Sequence, residues 1–316
     1  MASVDVPLTL HTALTSWRAD PTTLVLAVLA AGTYWLSWRR SSLPLSRLVV
    51  FGTACVVWLI SGCGFVGVYG DTLFWVRALQ FVMILFLAPL LLALAMPVTA
   101  LRDASSPRWR TRGRRMMASR VARMLAHPAT TSAAMLVLPW LIYLTAWYPA
   151  LLADRVVDDV TRILLLLIGC GYFYVRLQLD PVLRRRPQSV SLLISLVETL
   201  GDGVLGVVIW QGAILAPDHY AALHRTWGPS IRTDQTIGAG VFWILGDLVG
   251  LPFLMLVLGR FRADERVREI EVDAVLDGTV PGRTVLDGEP PDAPTSDSGL
   301  WLSLIHISEP TRLGMI

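Results

Sequence analysis

Seven apolar runs, each near the length that crosses a bilayer, govern what this 316-residue chain can become. They lie at about 22–38, 47–69, 73–101, 130–152, 160–179, 190–213 and 236–259. A bilayer takes roughly 20 apolar residues of helix. Its core holds no water to satisfy an open backbone, so runs of this length are expected as helices. The expected fold class is therefore all-α, a polytopic integral membrane protein with seven transmembrane helices. Composition agrees, since only 16% of the residues are charged, against about 25% in soluble domains.

The links between the runs sort by arginine. The 39–47 link holds Arg39, Arg40 and Arg47. The 102–129 link holds Arg102, Arg108, Arg110, Arg112, Arg114, Arg115, Arg120 and Arg123. The 176–189 link holds Arg176 and Arg184 to Arg186, and Arg260, Arg262, Arg266 and Arg268 follow the last run. The alternate links, 70–72, 153–159 and 214–235, are poor in Arg and contain Asp71, Asp154, Asp158, Asp159, Asp218 and Asp234. Basic loops stay in the cytoplasm, so the N-terminus is expected outside and the C-terminus inside. The arginine-rich 102–129 link then reads as a topology determinant hugging the inner leaflet, with the lipid bilayer rather than nucleic acid as its partner.

This places residues 1–21 as an outer N-terminal segment and 22–262 as the membrane domain. Residues 263–301 turn acidic and rich in Gly and Pro, and read as a disordered cytoplasmic tail. Residues 302–316 contain "LSLIHISEPTR", which looks like the translation of a sequencing-library adaptor and is set aside as an artefact. No cleaved signal peptide is read, because no basic segment precedes the first apolar stretch.

Every basic residue is Arg; there is no Lys. A retinal protein, which needs a Schiff-base lysine, is thereby excluded. No span carries a histidine pair, which argues against a b-type haem. Cys55, Cys63 and Cys170 lie within apolar runs without metal-site or disulfide spacing. Cys55 and Cys63 share roughly one helix face, read as small-residue helix packing.

Several phrases carry a resemblance. They are "SWRADP" before the first run, "LQFVMILFLAPLLLALAMPVTALR" in the third, "SRVARMLAHP" before the fourth and "GYFYVRLQLDPVLRRRP" closing the fifth. Most specific is "HRTWGPSIRTDQTIGAGVFW", with Trp227, Gly228, Asp234, Gln235, Gly238, Gly240 and Trp243. Over about residues 17–266 the chain resembles the bacterial CtaG family of cytochrome c oxidase assembly factors. The resemblance implies a non-enzymatic accessory or assembly factor for the respiratory oxidase in the bacterial plasma membrane, with oxidase subunits as partners and copper as a possible cofactor or cargo.

The chain departs from the family pattern where metal would bind. The family's third span opens His-x-x-Gln-His; here the register reads Arg77-Ala78-Leu79-Gln80-Phe81, with Pro89 following. Family histidines of the fifth and sixth spans fall at or near Asp158, Arg162 and Leu164, and at Asp202. Guanidinium offers no lone pair to a metal, so a copper site on those helices cannot be intact and the family function transfers only in part.

Arg77, Asp158 and Arg162 are expected near the outer ends of the third and fifth spans, with Gln80 beside them, and Glu198, Asp202 and Asp247 deeper in the sixth and seventh. Two readings stay open for this cluster: an ion-pair network filling the vacated site, or a cavity for another ligand, a proton or a lipid. An unpaired arginine there must snorkel or recruit a counter-charge, and Asp202 is the first candidate partner of Arg77, Asp158 the second. The rival function is a membrane transporter or channel using the Arg/Asp cluster. No repeat of the first half in the second supports it. His219 and His224, five apart near Asp218 and Asp234, are weak candidates for a metal.

Overall fold

Asp20 and Pro21 start the first long helix. In the computed structural model, which describes residues 6–125, 127–177, 201, 203–244, 255, 259, 262 and 266, Asp20 caps the helix by accepting from the Thr23 amide. Proline suits the first helical position because its missing N–H has no helical partner there anyway. The described residues contain helices and no strand. They run α1 (Leu10–Thr15), α2 (Pro21–Trp38), α3 (Leu45–Gly62), α4 (Phe65–Tyr69) and α5 (Phe74–Leu94). Then come α6 (Pro97–Ala104), α7 (Pro107–Met117), α8 (Arg120–Leu125), α9 (Pro128–Leu144), α10 (Trp147–Ala153) and α11 (Arg155–Leu177). The last are α12 (residues 203–211), α13 (Pro217–Ala222) and α14 (residues 231–244).

Among the described residues, three helical stretches are long and apolar enough to cross a membrane: Leu45–Tyr69, Phe74–Leu94 and Arg155–Leu177. The pair α9 and α10, bent by 71°, makes a fourth if taken as one broken span. About half of the sixth run and half of the seventh lie outside the described residues, as do 263–301 apart from Arg266, and 302–316. The chain divides into units 1–265 and 266–316; helices α1 to α14 lie in the first.

The third run was expected to continue to residue 101, and it does not. Helix α5 ends at Leu94, Met96 takes a left-handed conformation (φ 56°), and Pro97 starts α6. Neighbouring side chains satisfy the last carbonyls. Tyr34 on α2 donates to the Ala95 carbonyl at 2.7 Å, and Arg47 on α3 to that of Leu94 at 2.7 Å. A helix end in apolar surroundings needs such partners. The fourth run is likewise not one straight helix, since it breaks at Thr145–Ala146. Arg176, which the sequence groups with an arginine-rich link, is instead buried at 1% exposure and donates to the Ser132 hydroxyl on α9 at 2.6 Å.

Pro89 sits inside α5 and lacks the N–H that would reach Leu85. The helix accommodates it by widening to a π-helical turn over Met83–Leu87. Helix α11 packs at this point through Gly169, where an added Cβ would meet the Leu85 carbonyl and the Pro89 ring. Gly169→Ala should therefore push α11 off α5 and cost about 1–3 kcal/mol, as overpacking does. Thermal unfolding in detergent reads this, with Gly52→Ala, which meets nothing within 4 Å, as the control.

Candidate site: a neutral arginine–aspartate network

The N-terminal ends of α2, α5 and α11 converge, and their charges form an alternating chain. Asp71, in the turn before α5, pairs with Arg18 at 3.7 Å and Arg77 at 2.6 Å. Arg77 pairs with Asp158 at 2.8 Å, and Asp158 with Arg162 at 3.2 Å. Arg162 also holds Asp159 and reaches Asp20 at 2.9 Å; Asp20 in turn meets Arg155 at 3.1 Å. Four arginines and four aspartates thus balance to no net charge.

Arg77 is 5% exposed. One of its nitrogens donates to the Gln80 side-chain oxygen at 2.7 Å, and the Gln80 amide donates to the Ser61 carbonyl on α3 at 2.7 Å. The network therefore reaches α3 as well. Thr22 adds a bond from its hydroxyl to Asp159 at 2.7 Å. Several of these acids sit at helix starts, where the helix dipole favours negative charge: Asp20 is the N-cap of α2, and Asp158 lies in the first turn of α11.

Of the expected cluster, Arg77, Gln80, Asp158 and Arg162 come together. Glu198, Asp202 and Asp247 lie outside the described residues. Asp158, the second candidate partner, holds Arg77 here, and Asp71 joins it. The sequence reading missed Asp71, Asp159 and Asp20 as members. Asp71 lies six residues before Arg77, beyond the i,i+4 reach that spacing reveals, and Asp20 is 135 and 142 residues from its partners Arg155 and Arg162.

Asp20 lies just before its span. Burial pushes its carboxyl up, but the Thr23 hydroxyl, the Arg162 guanidinium and the Thr23 amide outweigh that and leave it below its ordinary value. A carboxyl lowered on folding stabilises the fold above its unfolded pKa, about 4, and loses that contribution as pH falls through the folded value. Detergent-solubilised protein should lose stability below about pH 4, and Asp20→Asn should be less stable at neutral pH with a shallower acid dependence. An unchanged acid profile in Asp20→Asn would show the carboxylate to be idle.

Four positions that the family resemblance equates with or places near histidines, Arg77, Phe81, Asp158 and Arg162, line one cavity of about 20 Å³, room for about one water. Tyr143 and Tyr148 complete its aromatic wall. The Tyr148 hydroxyl lies 2.7 Å from that of Tyr220 on α13, which ties the broken span to the 214–235 link. The donor set does not fit copper. Guanidinium cannot ligate, Phe81 offers nothing, and each carboxylate is committed to an arginine. Among the described residues no three His, Cys, Asp or Glu side chains are grouped for a metal.

The two candidate histidines separate in role. His219 stands 2.9 Å from the Asp71 carbonyl through Nε2, which must donate because a carbonyl only accepts. His224 is exposed, with φ 45°.

The 214–235 link and α14 are built around the start of α5. Leu73 provides α5 with no side-chain cap. Asp234 supplies one from 160 residues away, accepting from the amides of Phe74 at 3.1 Å and Trp75 at 3.0 Å. Gln235 donates to the carbonyls of Ile209 and Ala213 and accepts from the Leu215 amide, closing the turn after α12. At Gly238 a Cβ would strike the Phe74 ring, so glycine there lets α14 approach α5. Gly228 holds φ 77°, which favours glycine, and Trp227 packs edge-on against Tyr69. Gly240 faces open space and Trp243 is half-exposed; neither joins this arrangement.

A family model described as cytochrome c oxidase caa3 assembly factor matches residues 22–264. Uncharacterized proteins of Mycobacterium bovis and Mycobacterium tuberculosis are each 28% identical over 281 residues, covering 84% of this chain and 42% of theirs. One from Mycobacterium leprae is 27% identical over 268 residues, 80% of this chain and 40% of its own. The chain thus spans less than half the length of these relatives. No solved structure matches it.

Proposed function

Because this membrane protein belongs to the cytochrome c oxidase caa3 assembly factor family, we propose that it is a non-catalytic assembly factor that docks or chaperones an oxidase subunit at the outer face of the bacterial plasma membrane. The observation that carries this reading is the match over residues 22–264, which takes in the arginine–aspartate network except Arg18 and Asp20, and the 214–235 link. In this reading the network does the mechanical part of the work. It locks the ends of α2, α3, α5 and α11 together, where the family resemblance would have ligands converge, and presents a rigid neutral end to the client. Copper is not handled in the cluster, since its residues do not suit the metal. Any copper passes through another part of the assembly.

The reading includes seven spans with the N-terminus outside. It is supported by the alternation of arginine-rich and acidic links, and by the position of the network at the N-terminal end of α5 and of the 102–129 link past its C-terminal end. A reporter fused after Arg112 should be active only in its cytoplasmic form, and one near Pro217 only in its exported form. The reverse at either site would overturn the topology.

Deleting the gene in its source bacterium tests the function. Assembled oxidase and its activity should fall, and be restored by the wild-type chain. Full oxidase activity in the deletion strain, together with ion flux through the purified chain in proteoliposomes, would contradict the proposal and favour a transporter.

A further inference from the structure

The segment between α5 and α9 has no part in the network, yet it concentrates charge. Residues 102–129 hold eight arginines and one acid, Asp103, and no further acid occurs before Asp154. Helix α7 sorts these groups by face. Trp109, Gly113 and Met116 recur at i, i+4 and i+7 and so form one stripe. Trp109 is 65% exposed and Met116 72%. By the same helical period Arg112 borders the stripe, with Arg108 and Arg115 beyond it on the same flank.

The arginines differ in what they already hold. Arg110 donates to the carbonyls of Arg102 at 2.8 Å, Ser105 at 3.0 Å and Asp103 at 2.9 Å, so it caps the end of α6 and fixes α7 to it. Among the described residues, Arg108 and Arg115 have no ion pair, and Arg112 meets only the Trp109 ring, at 5.6 Å.

We propose that α7 is an interfacial helix that binds acidic phospholipid headgroups. Trp109 and Met116 enter the acyl boundary, while Arg108, Arg112 and Arg115 hold the phosphates. Three observations favour lipid over a soluble polyanion. The uncommitted guanidiniums flank an exposed Trp–Met stripe, which a polyanion alone would leave in water. Only α6, eight residues long, separates α7 from the membrane-length helix α5, so α7 lies close to the bilayer surface. Guanidinium matches phosphate geometry, and an Arg-rich helix with an aromatic stripe lies in the interface plane.

The test reconstitutes the full chain in phosphatidylcholine vesicles with a minor share of phosphatidylglycerol. Spin-labelled lipids then report which headgroup is immobilised by the protein. The wild type should prefer phosphatidylglycerol, and R108Q/R112Q/R115Q should lower that preference by up to about fivefold per arginine. R110Q should keep the preference and lower thermal stability. Brominated phosphatidylglycerol should quench a component of the emission that W109F removes, and high salt should weaken the headgroup preference in the wild type. These two readouts decide the matter if the triple variant fails to insert. Equal binding of both lipids by the wild type would overturn the proposal. So would a loss of preference in R110Q as large as in the triple variant, a preference indifferent to salt, or tRNA displacing the lipid.

Discussion

Replacing Arg77 with Ala should destabilise the protein by about 3–5 kcal/mol in detergent, the cost of leaving a buried counter-charge alone. The loss comes from the aspartates more than from the arginine. Asp71 and Asp158 lie against Arg77 at 2.6 and 2.8 Å, and without it both carboxylates stay buried with less charge to face. Gln80 also loses the donor on its side-chain oxygen. Arg77→Lys should recover part of the loss, because an ammonium keeps the charge but cannot span two carboxylates and Gln80 in one plane. Unfolding followed by circular dichroism in detergent reads the series. An Arg77→Ala variant as stable as wild type would mean that the guanidinium merely snorkels.

Asp234→Ala should cost roughly 2–6 kcal/mol, because one buried and one partly buried amide lose their acceptor at about 1–3 kcal/mol each. Those amides, Phe74 and Trp75, open the helix that carries Arg77. Arg225 would lose its carboxylate at 3.4 Å as well. Asp234→Asn keeps one acceptor oxygen and should fall between wild type and Ala. Faster hydrogen exchange at the start of α5 should accompany the loss. Exchange unchanged at Phe74 and Trp75 would show that the cap contributes nothing.

Much of the helical architecture can be read from the sequence, because the bilayer imposes a length and a composition on any segment that crosses it. The first, second and fifth apolar runs correspond closely to Pro21–Trp38, Leu45–Tyr69 and Arg155–Leu177. The breaks are harder to read. Apolarity continues through Met96 and through Thr145, so hydropathy gives no stop signal there. The left-handed turn at Met96 is held by distant partners such as Tyr34 and Arg47, and the 71° bend falls at Thr145–Ala146.

The site was legible in its residue types but only partly in its pairing. Arg77 and Arg162 stand out as charges in apolar runs, and Asp158 lies one turn before Arg162. Asp71 and Asp20 lie outside the runs and looked like ordinary link acids. Only the convergence of three helix ends brings them to the arginines. The family motif in the 214–235 link was legible as a motif but not as a mechanism. Nothing in the sequence says that Asp234 caps a helix 160 residues earlier.

The network itself is tested most directly by a double-mutant cycle on Arg77 and Asp158, with unfolding free energies of Arg77→Ala, Asp158→Ala and the double variant in one detergent. The contact at 2.8 Å predicts that the double variant costs less than the sum of the single ones, by about 1 kcal/mol or more, as coupled neighbours do. Costs that add within about 0.3–0.5 kcal/mol would contradict a network held together at this pair.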